Sequence, residues 1–188
     1  VAVDALHPEW RMWEDFATGE VTAALRRDSL DGVQPVQADV NHPDEISTLF
    51  DPAIVYAKGG RLLVMVRRLI GEEAFRAGLK AYFEKFAYQN TVGNDLWQEL
   101  EAASGQPIVD LMNTWISQPG LPIVQVEQNN SNKQPTATLR QERFFIGDHQ
   151  PSDVSWPIPL FANQPLDDAI LTEREKTFSI EKPLQLNC

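Results

Sequence analysis

Three histidines are the residues in this chain best suited to holding a transition metal, and their spacing offers no convergent site. His7, His42 and His149 lie far apart, and His7 and His42 each stand directly before a proline. None belongs to an H-E-x-x-H run, in which two histidines one helical turn apart hold zinc and the glutamate serves as base. His7-Pro8-Glu9 reads as a helix start, and all three histidines are assigned surface or capping roles. The chain also lacks a G-x-S-x-G nucleophile elbow and a G-x-x-x-x-G-K phosphate loop. Lys58-Gly59-Gly60 has no loop context that would cradle a phosphate. Asp167, Asp168, Glu173 and Glu175 read as a solvated hairpin edge, where charge discourages edge pairing. A calcium site would need a closer oxygen-rich loop.

The remaining residue of interest is Tyr56, in the first turn of a long apolar helix within the run Phe50 to Arg68. Asp51 is placed to cap that helix, and Pro52 falls where a missing N–H does no harm. On pattern alone Tyr56 is a helix-end tyrosine with its ring in the core and its hydroxyl at the surface. Lys58 supports the same turn or points to solvent, while Gly59 and Gly60 imply close packing against a neighbour.

The elements around Tyr56 follow from periodicity. A first helix is expected from about Pro8, with Trp10, Trp13, Val21 and Leu25 inward and a break near Gly19. A loop covers Asp28 to Asn41, and Asp44 to Phe50 forms a short helix opened by Pro43. The Tyr56 helix runs to Ile70 and ends at Gly71. Glu72 and Glu73 favour a new helix start through the macrodipole, and Phe75, Leu79, Tyr82, Phe83 and Phe86 trace its apolar stripe. Asn94 is expected to cap a helix holding Leu96, Trp97 and Leu100, with Gly105 as terminator. Pro107 opens a last helix whose inner face is Ile108, Leu111, Met112, Trp115 and Ile116. Trp10, Trp13, Trp97 and Trp115 are all assigned to the core.

The pattern changes near Pro119-Gly120 from helical spacing to alternation and β-branched residues. Strands are expected over Ile123 to Val126, Thr136 to Phe145, Trp156 to Phe161, two within Ala169 to Ile180 across a turn near Glu173, and Leu184 to Leu186. Residues 128–133 form a hairpin loop, and Trp156 is sandwich core. The fold class is therefore α+β in two separate units: an all-α helical subdomain over residues 1–119, then an antiparallel β-sandwich over 120–188 that is cut short at its C-terminal end.

Bulk properties bound the partners. With 16 basic and 27 acidic residues among 188, the net charge is -11. That balance disfavours nucleic acid and an anionic membrane surface. Cys188, the single cysteine, is the last residue, which fits a reducing cytoplasm. No apolar run approaches the ~20 residues of a membrane span. Asn129-Asn130-Ser131 is a formal glycosylation sequon with nothing beside it that points to secretion. Val1 opens what reads as mid-domain sequence, so an excised fragment is expected.

An ordered set of short matches resembles the aminopeptidase N-like zinc metallopeptidases, a gluzincin family. Pro8-Glu9-Trp10, Ala24-Leu25, Asp28-Ser29-Leu30 and His42-Pro43 are similar to the segment that follows that family's zinc motif. Phe50-Asp51, Ile54, Tyr56 and Lys58-Gly59 resemble its tyrosine block, with Gly60 where alanine or another small residue is frequent. Ile70 to Glu73, Phe75, Gly78-Leu79, Tyr82, Asn90, Asp95 to Trp97, Trp115-Ile116, Gln118 to Gly120 and Pro122 continue the series. Gln141 to Phe144 and Trp156 to Pro159 resemble parts of the family's sandwich.

The resemblance implies a zinc aminopeptidase that removes N-terminal residues from peptides, of which this chain is a segment inactive alone. It implies that the zinc ligands and the base lie upstream of Val1, with no metal ligand in this chain. It makes Tyr56 the donor of a hydrogen bond to the developing oxyanion, a role that suits a phenol protonated at neutral pH. An excised segment is also expected to self-associate through an exposed apolar face. The alternative is a binding or scaffold module of the same two parts. An epoxide-hydrolysing relative is disfavoured, because such relatives lack the sandwich that follows Pro122.

Overall fold

A computed structural model describes residues 2–129 and 134–187. All of the sequon but Asn129, most of the expected hairpin loop and Cys188 lie outside those residues. Helices precede antiparallel sheets along the chain, an α+β arrangement. The chain forms two compact units. One comprises Val1–Val64, Ile116–Leu121 and Phe145–His149; the other comprises Met65–Trp115, Pro122–Phe144 and Gln150–Cys188.

The first unit begins with α1 (Ala2–Leu6), a 3-10 turn (Pro8–Trp10) and α2 (Met12–Asp15). The expected helix from Pro8 is interrupted at Arg11, whose backbone is left-handed (φ 49°), and not at Gly19. Gly19 sits inside a π turn (Phe16–Val21) that feeds straight into α3 (Thr22–Asp28). A π turn accommodates an extra residue without breaking the helix. A 3-10 turn (Pro43–Glu45) leads into α4 (Ile46–Leu49), as the proline implies. A second π turn (Ala53–Lys58) then opens α5 (Gly59–Ile70). Ala24, Val33, Ile54, Ala57 and Leu62 are buried. Trp10 and Trp13 are not: they are 55% and 38% exposed, and Leu25 is exposed with them. Their spacing marks an apolar stripe correctly, but periodicity says nothing of what covers such a stripe.

In the second unit α6 (Glu72–Lys85) and α7 (Gly93–Ser104) pack closely at Gly78. A Cβ there would lie 2.8 Å from Leu100 Cδ2 and 3.0 Å from Leu100 Cα, so only glycine fits without displacement. The α6 stripe is half-buried at Phe75, Leu79, Tyr82 and Phe86, whereas Phe83 is exposed. Asp95, not Asn94, caps α7: its Oδ2 accepts the Val92 N–H at 2.9 Å. The side chain one position further along reaches the free amide, and Asn94 falls within the first turn. Gly105 ends α7 with left-handed backbone and donates to Glu101 O at 2.8 Å. α8 (Ile108–Ser117) follows Pro107, and Ile108, Leu111, Met112, Trp115 and Ile116 are all buried, as the spacing requires.

The β part of this unit holds two antiparallel sheets. β1 (Pro122–Asn129) pairs with β2 (Thr136–Arg143), which pairs with β5 (Glu175–Ser179). β3 (Ile158–Pro159) pairs with β4 (Ile170–Leu171). Ala137, Leu139 and Phe178 from one sheet share a core with Leu171 from the other, joined by Ile180 and Leu184 and flanked by Val124 and Ile158. The two strands expected across Glu173 therefore do not form a hairpin, because β4 and β5 belong to different sheets. Leu184 to Leu186 contributes one bridge, Leu186 to Ala162, and no strand.

Glutamines replace ladder bonds where the strands are irregular. Gln141 is buried; its Nε2 donates to Trp156 O (2.9 Å) and Glu173 O (3.0 Å), and its Oε1 accepts from Trp156 N–H (2.8 Å). Gln128 exchanges both bonds with the Leu184 backbone, at 3.0 and 2.8 Å. Trp156 is buried, and Trp115 Nε1 donates to Pro157 O at 2.8 Å.

Candidate functional site

The site is built around the π turn Ala53–Lys58 in the first unit. Asp51 opens it: Oδ1 accepts the Ala53 N–H at 3.0 Å, and the Asp51 carbonyl accepts from Ile54 and Val55 N–H at 3.0 and 2.8 Å. Asp51 Oδ2 is paired with Arg27 of α3. At the far end Gly59 N–H reaches back to Ile54 O, which closes the wide turn. Ile54 and Ala57 are buried on the inner side, whereas Tyr56 is 64% exposed. The Tyr56 ring meets the Phe50 ring edge on, and its hydroxyl bonds to no described residue. The ring is thus not core, as the helical pattern alone had it; the hydroxyl is at the surface.

Lys58 occupies the turn's inner side. Its side chain is 7% exposed and its Nζ lies 2.8 Å from Oδ2 of Asp28, which is 4% exposed. Lys58 Nζ also donates to Gly120 O (2.9 Å) and Gln118 O (3.4 Å), while the Gly120 N–H donates to Asp28 Oδ1 (2.8 Å). Gly120 holds φ at 93°, in the left-handed region that favours glycine. Burying charge in this way is tolerated only with full pairing. The sequence left Lys58 between support and solvent and placed Asp28 at the start of a loop, without pairing the two; Asp28 instead ends α3. A signal existed: Lys58 continues the inward stripe of Ile54, Leu62 and Val66 at four-residue spacing, and Asp28 follows buried Ala24 by the same step. Gly60 packs as expected, with a Cβ there 3.4 Å from the Phe16 ring.

The histidines stay apart from this turn's chemistry. His7 stacks on Trp10 at 4.3 Å, His42 Nδ1 accepts from Asp44 N–H at 3.3 Å, and His149 stacks on Phe145 at 4.2 Å. Among the described residues no three His, Cys, Asp or Glu side chains converge as a metal site requires. No helix of the described residues is long and apolar enough to cross a membrane.

In the second unit a cleft of about 850 Å³ is lined by Asp110, Trp156, Asp168, Glu173 and Lys176 among others. Lys176 spans Asp168 and Glu173, and Arg140 pairs with Glu127 (3.0 Å) and Glu175 (2.6 Å). Asp168, Glu173 and Glu175 of the acidic cluster are thus each paired with a cation.

Residues 1–115 match the Peptidase family M1 domain. The chain belongs to peptidase family M1. Likeness to family members extends past the matched domain. Aminopeptidase N of Lactococcus lactis subsp. lactis is 51% identical over 176 residues, which is 93% of this chain and 20% of that protein. Aminopeptidase N of Lactobacillus delbrueckii subsp. lactis is 49% identical over 163 residues, 87% of this chain and 19% of the relative. Tricorn protease-interacting factor F2 of Thermoplasma volcanium is 39% identical over 158 residues, 84% of this chain and 19% of the relative. The chain thus spans about a fifth of the length of these M1 relatives.

Proposed function

We propose that this chain is a segment of a zinc-dependent aminopeptidase that removes N-terminal residues from peptides. Residues 1–119 supply the helical C-terminal part of its catalytic domain and residues 120–188 most of the sandwich domain that follows. Two relatives are named aminopeptidase N, and the M1 match covers the stretch that holds Tyr56. The zinc would be held by residues upstream of Val1, and the chain alone is inactive. Its place is the cytoplasm, and its net charge of -11 weighs against nucleic acid and membrane surfaces as partners.

Within that enzyme Tyr56 is the hydrogen-bond donor to the oxyanion that forms on the scissile carbonyl. The observation behind this assignment is an exposed phenol on the outer side of a turn whose inner side is anchored by a buried ion pair. A phenol O–H donates a hydrogen bond to a developing oxyanion without a prior proton transfer. Removing such a donor typically costs about 10²–10³ in kcat.

The test is aminoacyl-anilide hydrolysis by the full-length enzyme and by its Tyr56→Phe variant. A fall of about a hundredfold or more in kcat, with zinc content and KM little changed, supports the assignment. Unchanged kcat rejects Tyr56, and no hydrolysis by the unmodified enzyme favours a binding or scaffold role.

A further inference from the structure

Consecutive residues of α3 hold both ends of the π turn that presents Tyr56. Arg27 pairs with Asp51 just before the turn, at the surface; Asp28 pairs with Lys58, the turn's last residue, in the interior. The two grips differ in kind. Surface pairs such as Arg27–Asp51 yield to solvent and salt. The buried pair cannot slide, because any movement of Lys58 separates charges that have no water to replace the lost partner.

The interior end is also fixed from a third direction. Gly120 gives its N–H to Asp28 and its carbonyl to Lys58, so one peptide unit on each side of Gly120 is engaged by the pair. Each of the three Lys58 protons has an acceptor in Asp28 Oδ2, Gly120 O or Gln118 O. Residues two apart on a helical turn project to opposite sides. Locking Lys58 inward therefore fixes the direction in which Tyr56 points outward.

We infer that Asp28 and Lys58 are positioning residues for the Tyr56 hydroxyl, acting through the π turn and touching no substrate. The inference rests on the reading of Tyr56 as oxyanion donor. A displacement of about 1 Å in a reacting group can cost up to about a hundredfold in rate, so loss of the lock should be read in kcat.

The experiment is a cycle in the full-length enzyme: unmodified, Y56F, D28N/K58M, and the three substitutions together. D28N/K58M removes both charges and keeps an acceptor for the Gly120 N–H. The expected result is a kcat lower by about tenfold, with KM within about twofold. In the Y56F background the same pair should lower kcat by less than about twofold, since there is no hydroxyl left to place. Equal losses in both backgrounds would overturn the inference, because the pair would then support the whole enzyme and not Tyr56. No loss in either would overturn it as well. An unchanged kcat for Y56F alone would instead reject the oxyanion reading, and the inference with it. If D28N/K58M does not accumulate as folded enzyme, D28N alone enters the same cycle. A loss of about threefold confined to the Tyr56 background then supports the inference, and an equal or absent loss overturns it.

Discussion

The Phe50 and Tyr56 rings meet edge to face, their centroids 5.6 Å apart and their planes at 80°. Phe50 is the one aromatic contact of Tyr56 among the described residues, and an edge-to-face pair contributes about 0.5–1.5 kcal/mol. F50A should therefore lower kcat of the full-length enzyme by about two- to tenfold with KM nearly unchanged. An unaffected kcat would mean that the ring direction is set by the turn alone.

The Asp28–Lys58 pair makes a separate claim on stability. K58M leaves a carboxylate buried beside an apolar side chain, and the loss should be about 3–5 kcal/mol in urea unfolding of the chain. D28N/K58M should recover most of it, since it removes the uncompensated charge and keeps an acceptor for the Gly120 N–H. A K58M chain as stable as the unmodified one would show that the pair does not hold the turn.

Glu173 and Lys176 give the chain a legible response to pH. The Glu173 carboxyl is held below its ordinary 4.5, first by a backbone hydrogen bond at Glu173 and then by Lys176 and Thr172. Lys176 is raised above its ordinary 10.5, first by its hydrogen bond to Asp168 and then by Glu173. The stability from Glu173 is present above the ordinary glutamate range and is lost as pH falls through the lowered pKa. That from Lys176 is present below 10.5 and is lost as pH rises through its raised value. In an NMR titration Glu173 should show a midpoint below 4.5, and K176M should move it upward. A midpoint that does not respond to K176M would exclude the lysine as a cause.

Leu6, Trp10, Met12 and Trp13 are exposed within one short stretch of the first unit. Clustered apolar surface of this kind favours association. In light scattering the isolated chain should show dimers or aggregates, and W10S/W13S should reduce them. A clean monomer at high concentration would contradict this.

Much of the helical part was legible because burial and period coincide: the five inward residues of α8 are the five the spacing picks out. Trp10 and Trp13 were misread because amphipathicity identifies an apolar face without identifying its cover. Phe83 failed for the same reason at the edge of the α6 stripe. In the sandwich, Gln141, Gln128 and Gln164 bond to backbone groups in place of neighbouring strands. A side chain doing the work of a strand leaves no alternation to detect, so Leu184 to Leu186 read as a strand and is not one. Tyr56 is proposed only through likeness to a family; nothing local distinguishes it from a surface tyrosine. Its anchor was legible in principle, since a lysine on an apolar stripe must have a buried partner, but finding Asp28 required knowing which helix lies opposite.

Gly120 stands 62 residues beyond Lys58 and 92 beyond Asp28. On a ribosome, the turn bearing Tyr56 would emerge well before the peptide unit that completes its anchor. Until Gly120 follows, Asp28 and Lys58 have each other but not the backbone that fixes their geometry. Closing such long loops is slow relative to local helix formation. The tyrosine would thus acquire its fixed direction only after Gly120 has emerged, when most of the helices around it have already formed.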